Sequence, residues 1–279
     1  MRALQPQVID TVFAAAVGLL PPRPPDTHPL GCHRPRIDDR TCFVGLLYRL
    51  ALGCSWQDAG LLAGTSATTL RRRRDEWAAA GVFDRLAEEA IAAYDRIRGL
   101  DLSEVAIDGS QAKAPCGGEG TGPNPTDRAK LGWKWSIATD AAGIPIGWAA
   151  NSANRHDIIL LAPTLDAVAS RGLTLDIQTV HLDRGYDADT VRQLLVDRGI
   201  HDAVIARRRR RGEPKPADPA PLRLGLRWTV ERTNSWLSNF GQLRRNTDRT
   251  SAHRLAQLAL AIVIFITAKL IDWHDRWSP

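Results

Sequence analysis

Glu104-Val105-Ala106-Ile107-Asp108-Gly109-Ser110 is the stretch on which the reading of the chain turns. Val105 and Ile107 alternate with small or acidic neighbours, the period of a strand, and the strand leads directly into an acid followed by glycine. A carboxylate at a strand's edge costs desolvation unless something cationic meets it. Other acids able to converge on Asp108 are therefore the next thing to look for. Asp183 follows the apolar strand expected over residues 176–182, and Glu231 lies in a helical stretch over residues 226–240.

The elements between these acids follow an α/β order. Residues 133–139 and 144–150 read as a hairpin about 140–143, and a helix over 158–169 takes Asp157 as its N-cap. His156 is expected to pack or hydrogen-bond rather than to act chemically. Next come the strand ending at Asp183, a helix over 188–198, a strand over 202–206 and the helix carrying Glu231. The fold class is α/β, a central mixed sheet flanked by helices, with a last helix from His253 to about Asp272 covering the sheet. On the Glu231 helix, Arg227 lies one turn before the acid and Asn234 and Ser235 one turn after, so all share a face that Trp228 adjoins. Taken alone, that spacing more commonly means a surface pair of Arg227 with Glu231.

Before Gly99 the pattern is helical throughout. Helix is expected over 1–20, an extended proline- and histidine-rich segment over 21–35, and a helix from Asp38 stopped by Gly53. A short helix over 56–63, a turn at Gly64 and a second helix capped by Ser66 give the outline of a helix-turn-helix. In such a unit Ala67, Thr68 and Thr69 face base edges, while Arg71, Arg72, Arg73 and Arg74 meet phosphates. Residues 1–98 are thus expected to form a small all-α DNA-binding domain, and residues 99–279 a second, α/β domain.

The formal charge is +6 and the isoelectric point about 9.5. The excess is concentrated in Arg71 to Arg74, in Arg207, Arg208, Arg209, Arg210 and Arg211, and in Arg244 with Arg245, a distribution suited to a polyanion. Arg128, Lys130 and Lys134 add positive charge beside the hairpin, where backbone contact and plain solvation compete as explanations. Cys32, Cys42, Cys54 and Cys116 lack paired metal-binding spacing and read as reduced cytosolic thiols. Gly117, Gly118, Gly120 and Gly122 lack the Gly-Lys-Ser/Thr ending of a phosphate-binding loop, so no nucleotide cofactor is expected. No signal peptide is legible, and the apolar run over 258–268 falls short of the roughly 18 residues of a membrane span.

Converging carboxylates suit magnesium, which takes hard oxygen ligands, and two such ions serve an in-line displacement at phosphorus. At this point the chain strongly resembles the DDE transposases of bacterial insertion sequences, the IS-five-like group of the IS-four-like superfamily. The resemblance is carried by Ile107-Asp108-Gly109-Ser110, Pro125-Thr126-Asp127-Arg128 with Lys130-Leu131-Gly132, Asn154-Arg155-His156-Asp157, Leu182-Asp183-Arg184-Gly185-Tyr186 and Arg227-Trp228-Thr229-Val230-Glu231-Arg232-Thr233. It covers most of residues 100–250, and the order and spacing of the pieces are more specific than any one of them.

The resemblance implies an RNase H-like catalytic domain in which Asp108, Asp183 and Glu231 are the catalytic acids and bind Mg2+ in a two-metal site, with Mn2+ able to substitute. It implies Arg227 as the arginine preceding the glutamate. It further implies double-stranded DNA partners, the terminal inverted repeats of the element and the target, a homodimer that pairs two ends, and a place at the nucleoid in the bacterial cytoplasm. One departure concerns the lysine or arginine that the family usually carries about two turns after the glutamate: Ser238 and Asn239 stand there, and Arg244 and Arg245 are the next basic residues. The rival readings are a domesticated transposase acting as a DNA-binding regulator, which would tolerate loss of the acids, and an RNase H-like nuclease without end specificity.

Overall fold

Side-chain caps written into the sequence set the first helices. The computed structural model describes residues 2–22, 36–207 and 227–277. After one 3-10 turn at Arg2–Leu4, helix α1 runs over Pro6–Val17 with proline in its first turn, where its missing N–H is harmless. Helix α2 (Asp39–Leu52) starts at Asp38, which accepts from Thr41 N at 2.8 Å, and stops at Gly53 in the left-handed conformation. Helix α3 (Trp56–Ala63) has a reciprocal capping box between Ser55 and Asp58 and ends at left-handed Gly64. Helix α4 (Ala67–Ala79) is capped by Ser66, and α5 (Val82–Arg98) follows the left-handed Gly81.

The chain divides into two compact units, Met1–Tyr94 with Leu237–Pro279, and Asp95–Trp236. In the first, α2, α3 and α4 lie close together. A Cβ on Gly45 would meet Leu70 Cδ2 at 2.6 Å, and one on Gly60 would meet the Thr65 carbonyl oxygen at 2.7 Å. Phe43 joins Phe13 and Trp77 in one aromatic core, with centroids 5.5 and 6.4 Å apart.

The second unit is built on a six-stranded sheet. Strands β1 (Glu104–Lys113), β2 (Gly122–Pro123), β3 (Leu131–Thr139) and β4 (Pro145–Ser152) precede helix α6 (Asp157–Ala169), strand β5 (Thr179–Leu182), helix α7 (Asp189–Asp197), strand β6 (Asp202–Ile205) and helix α8 (Arg227–Leu237). β1 is central, antiparallel to β3 on one side and parallel to β5 on the other; β4 and the short β2 pair with β3, and β6 runs parallel beside β5. Val105 and Ile107 of β1, Val180 and Leu182 of β5, and Leu161, Leu165 and Val168 of α6 form one apolar core on one sheet face.

Several expectations change. β1 does not end at Asp108 but continues to Lys113, because its second half pairs with β3. Asp157 is the first residue of α6 rather than its cap; His156 holds the cap position and makes no capping bond. After the short helix α9 (Gly241–Arg244), helix α10 (Ser251–Trp277) packs against α1, α4 and α9 of the first unit, so the last 43 residues group with the N-terminal helices and not with the sheet. A polar junction binds it there: Asp248 accepts from Arg74 at 2.7 Å and from Gln257 at 2.5 Å. By length and apolarity α10 could cross a bilayer, yet 67% of its apolar window is buried inside the protein, as befits a core helix.

Candidate active site

Strand register decides where the acids fall. The parallel pairing of β1 with β5 matches Ala106 to His181, and Asp108 and Asp183 each stand two residues further on. Side chains alternate between faces with period two, and Asp183, directly past the end of β5, keeps an extended backbone, so the two carboxylates project from the same side of the sheet. That side is the one α8 covers. Trp135, paired with Ser110 across β1 and β3, donates its indole N–H to Asn234 of α8 at 2.9 Å, and Thr233 donates to the Gly143 carbonyl at 2.7 Å.

Asp108 lies in the sheet interior, and its pKa is pushed up to about 6, mainly by burial and further by Asp183 and Asp157; the Gly109 N–H and Arg227 act in the opposite sense. Asp183 begins a 3-10 turn over Arg184–Tyr186 and accepts from Gly185 N at 2.6 Å. Glu231 is more exposed. Its Oε1 accepts from Arg227 at 2.9 Å, so one guanidinium holds Glu231 while lowering the pKa of Asp108. Among the described residues, no group of three or more His, Cys, Asp or Glu stands close enough to hold a metal ion. The structure therefore brings Asp108 and Asp183 together and leaves Glu231 on its arginine, the nearest way for an exposed carboxylate to be neutralised.

A cluster that sequence reasoning missed lies on the opposite face of β1. Lys134 of β3 is buried, with Nζ 2.9 Å from Asp157 Oδ1 and donating to the Arg155 carbonyl at 2.8 Å. Asp157 sits directly over Gly109: a Cβ there would meet Asp157 Oδ1 at 2.4 Å. Tyr186 is buried, and its pKa is held above the ordinary phenol range by burial and then by Asp157, Asp108 and Asp183, with the Ser136 hydroxyl as a polar neighbour acting the other way. The signal available in the sequence was a lysine inside an apolar strand, Trp133-Lys134-Trp135, which calls for a buried counter-charge.

The candidate DNA contacts separate into exposed and internal groups. Thr68 and Arg72 of α4 are exposed, Thr69 and Arg71 half-buried, and with Arg36 and Ser66 several of them line an open cleft of about 690 Å³ at the α3–α4 turn. Arg73 is instead buried, ion-paired to Asp39 and Glu76 and bonded to the Ile37 carbonyl. Arg74 pairs with Asp75 and Asp248 and stacks 4.8 Å over Trp56. These two arginines and Lys134 serve the protein interior, because each meets an acid that lies close in the fold. Lys130, Arg207, Arg244 and Arg245 are exposed. Arg208, Arg209, Arg210 and Arg211 lie outside the described residues.

With this geometry in view, residues 99–266 match the family described as Transposase DDE domain, and residues 8–87 match one described as Putative transposase of IS4/5 family. A stretch of 135 residues, 46% of this chain, is 42% identical to the putative transposase for insertion sequence element IS402 of Burkholderia cepacia and covers 60% of that protein. Another of 123 residues, 43% of this chain, is 33% identical to an uncharacterized 16.2 kDa protein of the same element and covers 82% of it. The chain thus matches less than two thirds of the length of the first of these relatives.

Proposed function

The chain belongs to the DDE transposases of insertion sequences, and we propose that it cuts and joins DNA at the ends of such an element, with Asp108, Asp183 and Glu231 as the catalytic acids. The observation that carries this reading is the placement of Asp108 on β1 and Asp183 directly past the end of the adjacent parallel strand β5, on the face covered by the helix that bears Glu231. The strand order, with β1 central, antiparallel β3 carrying β4 and the short β2 on one side and two parallel strands on the other, supports an RNase H-like fold.

The donor set suits a divalent cation of the magnesium type, which takes one or two carboxylates and fills its remaining positions with water and phosphate oxygens. Asp108 and Asp183 supply two hard oxygen donors, and Asp108 is a half-buried carboxylate with a raised pKa that a cation would relieve. When bound, such ions would activate the attacking oxygen and stabilise the leaving one at phosphorus. Arg227 orients Glu231 at the rim. Water is the nucleophile at the element end and the freed 3′-hydroxyl the nucleophile at the target, so no covalent protein intermediate is required.

The tight α3–α4 turn supports a helix-turn-helix. Thr68 and Thr69 open its second helix toward base edges, and Arg71 and Arg72 are placed for phosphates. Lys130, Arg207, Arg244 and Arg245 are proposed as further backbone contacts, and a homodimer as the species that pairs two ends.

The test is excision of the gene with its native flanks from a donor plasmid. Excision by the unaltered protein and none by Asp108→Ala, Asp183→Ala or Glu231→Ala is expected, with end binding retained. Excision by any of the three variants would remove that acid from the mechanism.

A further inference from the structure

We infer that the Lys134–Asp157 pair is a positioning device for the acid site, acting through the backbone of β1 at Gly109. The inference rests on the reading of Asp108 and Asp183 as the metal-binding acids. It starts from alternation along β1. Asp108 points to the α8 side, whereas Ile107 and Gly109 point to the α6 side, where Ile107 packs on Leu161 and Leu165.

On that side Gly109 has no side chain, and the carboxylate of Asp157 fills the space, so close that even a methyl group on Gly109 would overlap Oδ1. Gly109 does not have a positive φ, so the backbone itself would accept alanine. The Asp157 carboxylate is what excludes a side chain.

Asp157 is fixed from below by Lys134, whose ammonium is buried and anchored at 2.9 Å to Oδ1 and at 2.8 Å to the Arg155 carbonyl. A buried ammonium without its carboxylate is strongly unfavourable, so the pair holds the first turn of α6 against the back of β1. Helix α6, which Asp157 begins, also packs against the turn that Asp183 starts, where Tyr186 is buried. One ion pair thus braces, from behind, the two segments that present Asp108 and Asp183. Groups that orient metal ligands without touching the metal commonly change its affinity by about 10- to 100-fold when removed.

The experiment measures Mn2+ binding to the full-length protein by electron paramagnetic resonance, alongside end cleavage. Asp157→Ala, Asp157→Asn and Gly109→Ala are each expected to weaken Mn2+ binding about tenfold or more, with circular dichroism unchanged. The double variant Gly109→Ala/Asp157→Ala should lose no more than the worse single variant, because removing the carboxylate makes room for the methyl group. Additive losses would overturn the inference, as would unchanged Mn2+ affinity in the Asp157 variants when Asp108→Ala abolishes binding. If Asp157→Ala fails to fold, Lys134→Gln and the isosteric Asp157→Asn decide on the same readout. Mn2+ binding that survives Asp108→Ala would overturn the metal-binding reading of that acid, and this inference with it.

Discussion

Asp108 of β1 and Asp183, one residue past the end of β5, each stand two residues beyond the matched pair Ala106 and His181 of these adjacent parallel strands. Burial raises the pKa of Asp108 to about 6, and the neighbouring Asp183 carboxylate acts in the same direction. The protonated form of Asp108 is therefore the one the fold prefers.

A stability prediction follows from the sign of that shift. Asp108 has a folded pKa above its unfolded one, so its contribution is most favourable below about pH 4 and is lost as pH rises through about 6. In chelator-treated buffer, Asp108→Asn should raise the melting temperature at pH 8 while changing it little at pH 4. Equal melting temperatures at pH 8 would show that Asp108 is not strained by burial. Divalent cation should stabilise the unaltered protein and not this variant.

Arg227 and Glu231 form a partly exposed pair at 2.9 Å. Arg227→Ala should change stability by less than about 1 kcal/mol. Because Arg227 both orients Glu231 and lowers the pKa of Asp108, the same variant should reduce end cleavage at least tenfold. Full cleavage would leave the pair as a surface contact only.

Neighbouring arginines of α4 should behave oppositely. Arg72 is exposed, and Arg72→Ala should weaken DNA binding and lower the slope of affinity against salt by about one, without destabilising the fold. Arg73 is buried against Asp39, Glu76 and the Ile37 carbonyl, and Arg73→Ala should cost about 3 kcal/mol in urea unfolding. A stable Arg73→Ala protein with weakened DNA binding would reverse this assignment.

At the junction of α2 with α9, a Cβ on Gly241 would lie 2.5 Å from Gly53 N and 2.6 Å from the Leu52 carbonyl carbon. Both obstacles are backbone and cannot swing aside. Gly241→Ala should therefore destabilise by about 1–3 kcal/mol, visible as a lower urea midpoint. An unchanged midpoint would mean that the two backbones separate freely.

What the sequence determined was local. Alternation marked β1, Ser66 announced α4, and Gly53 and Gly64 ended their helices, because strand period, caps and left-handed stops are satisfied by near neighbours in the chain. The same locality made Asp108, Asp183 and Glu231 legible as acids on particular strands and a helix, and Arg227 with Glu231 as a pair one turn apart. The tertiary structure decided the rest. Arg73 and Arg74 look like surface charges in the sequence and Lys134 shows no partner there, since Asp39, Asp248 and Asp157 lie far from them along the chain and become partners only when strands and helices pack. Apolarity told that α10 would be buried but not on what, because an apolar helix face fits a sheet or a helical bundle equally well; its packing on α1 and α4, with Asp248 joined to Arg74, made that choice.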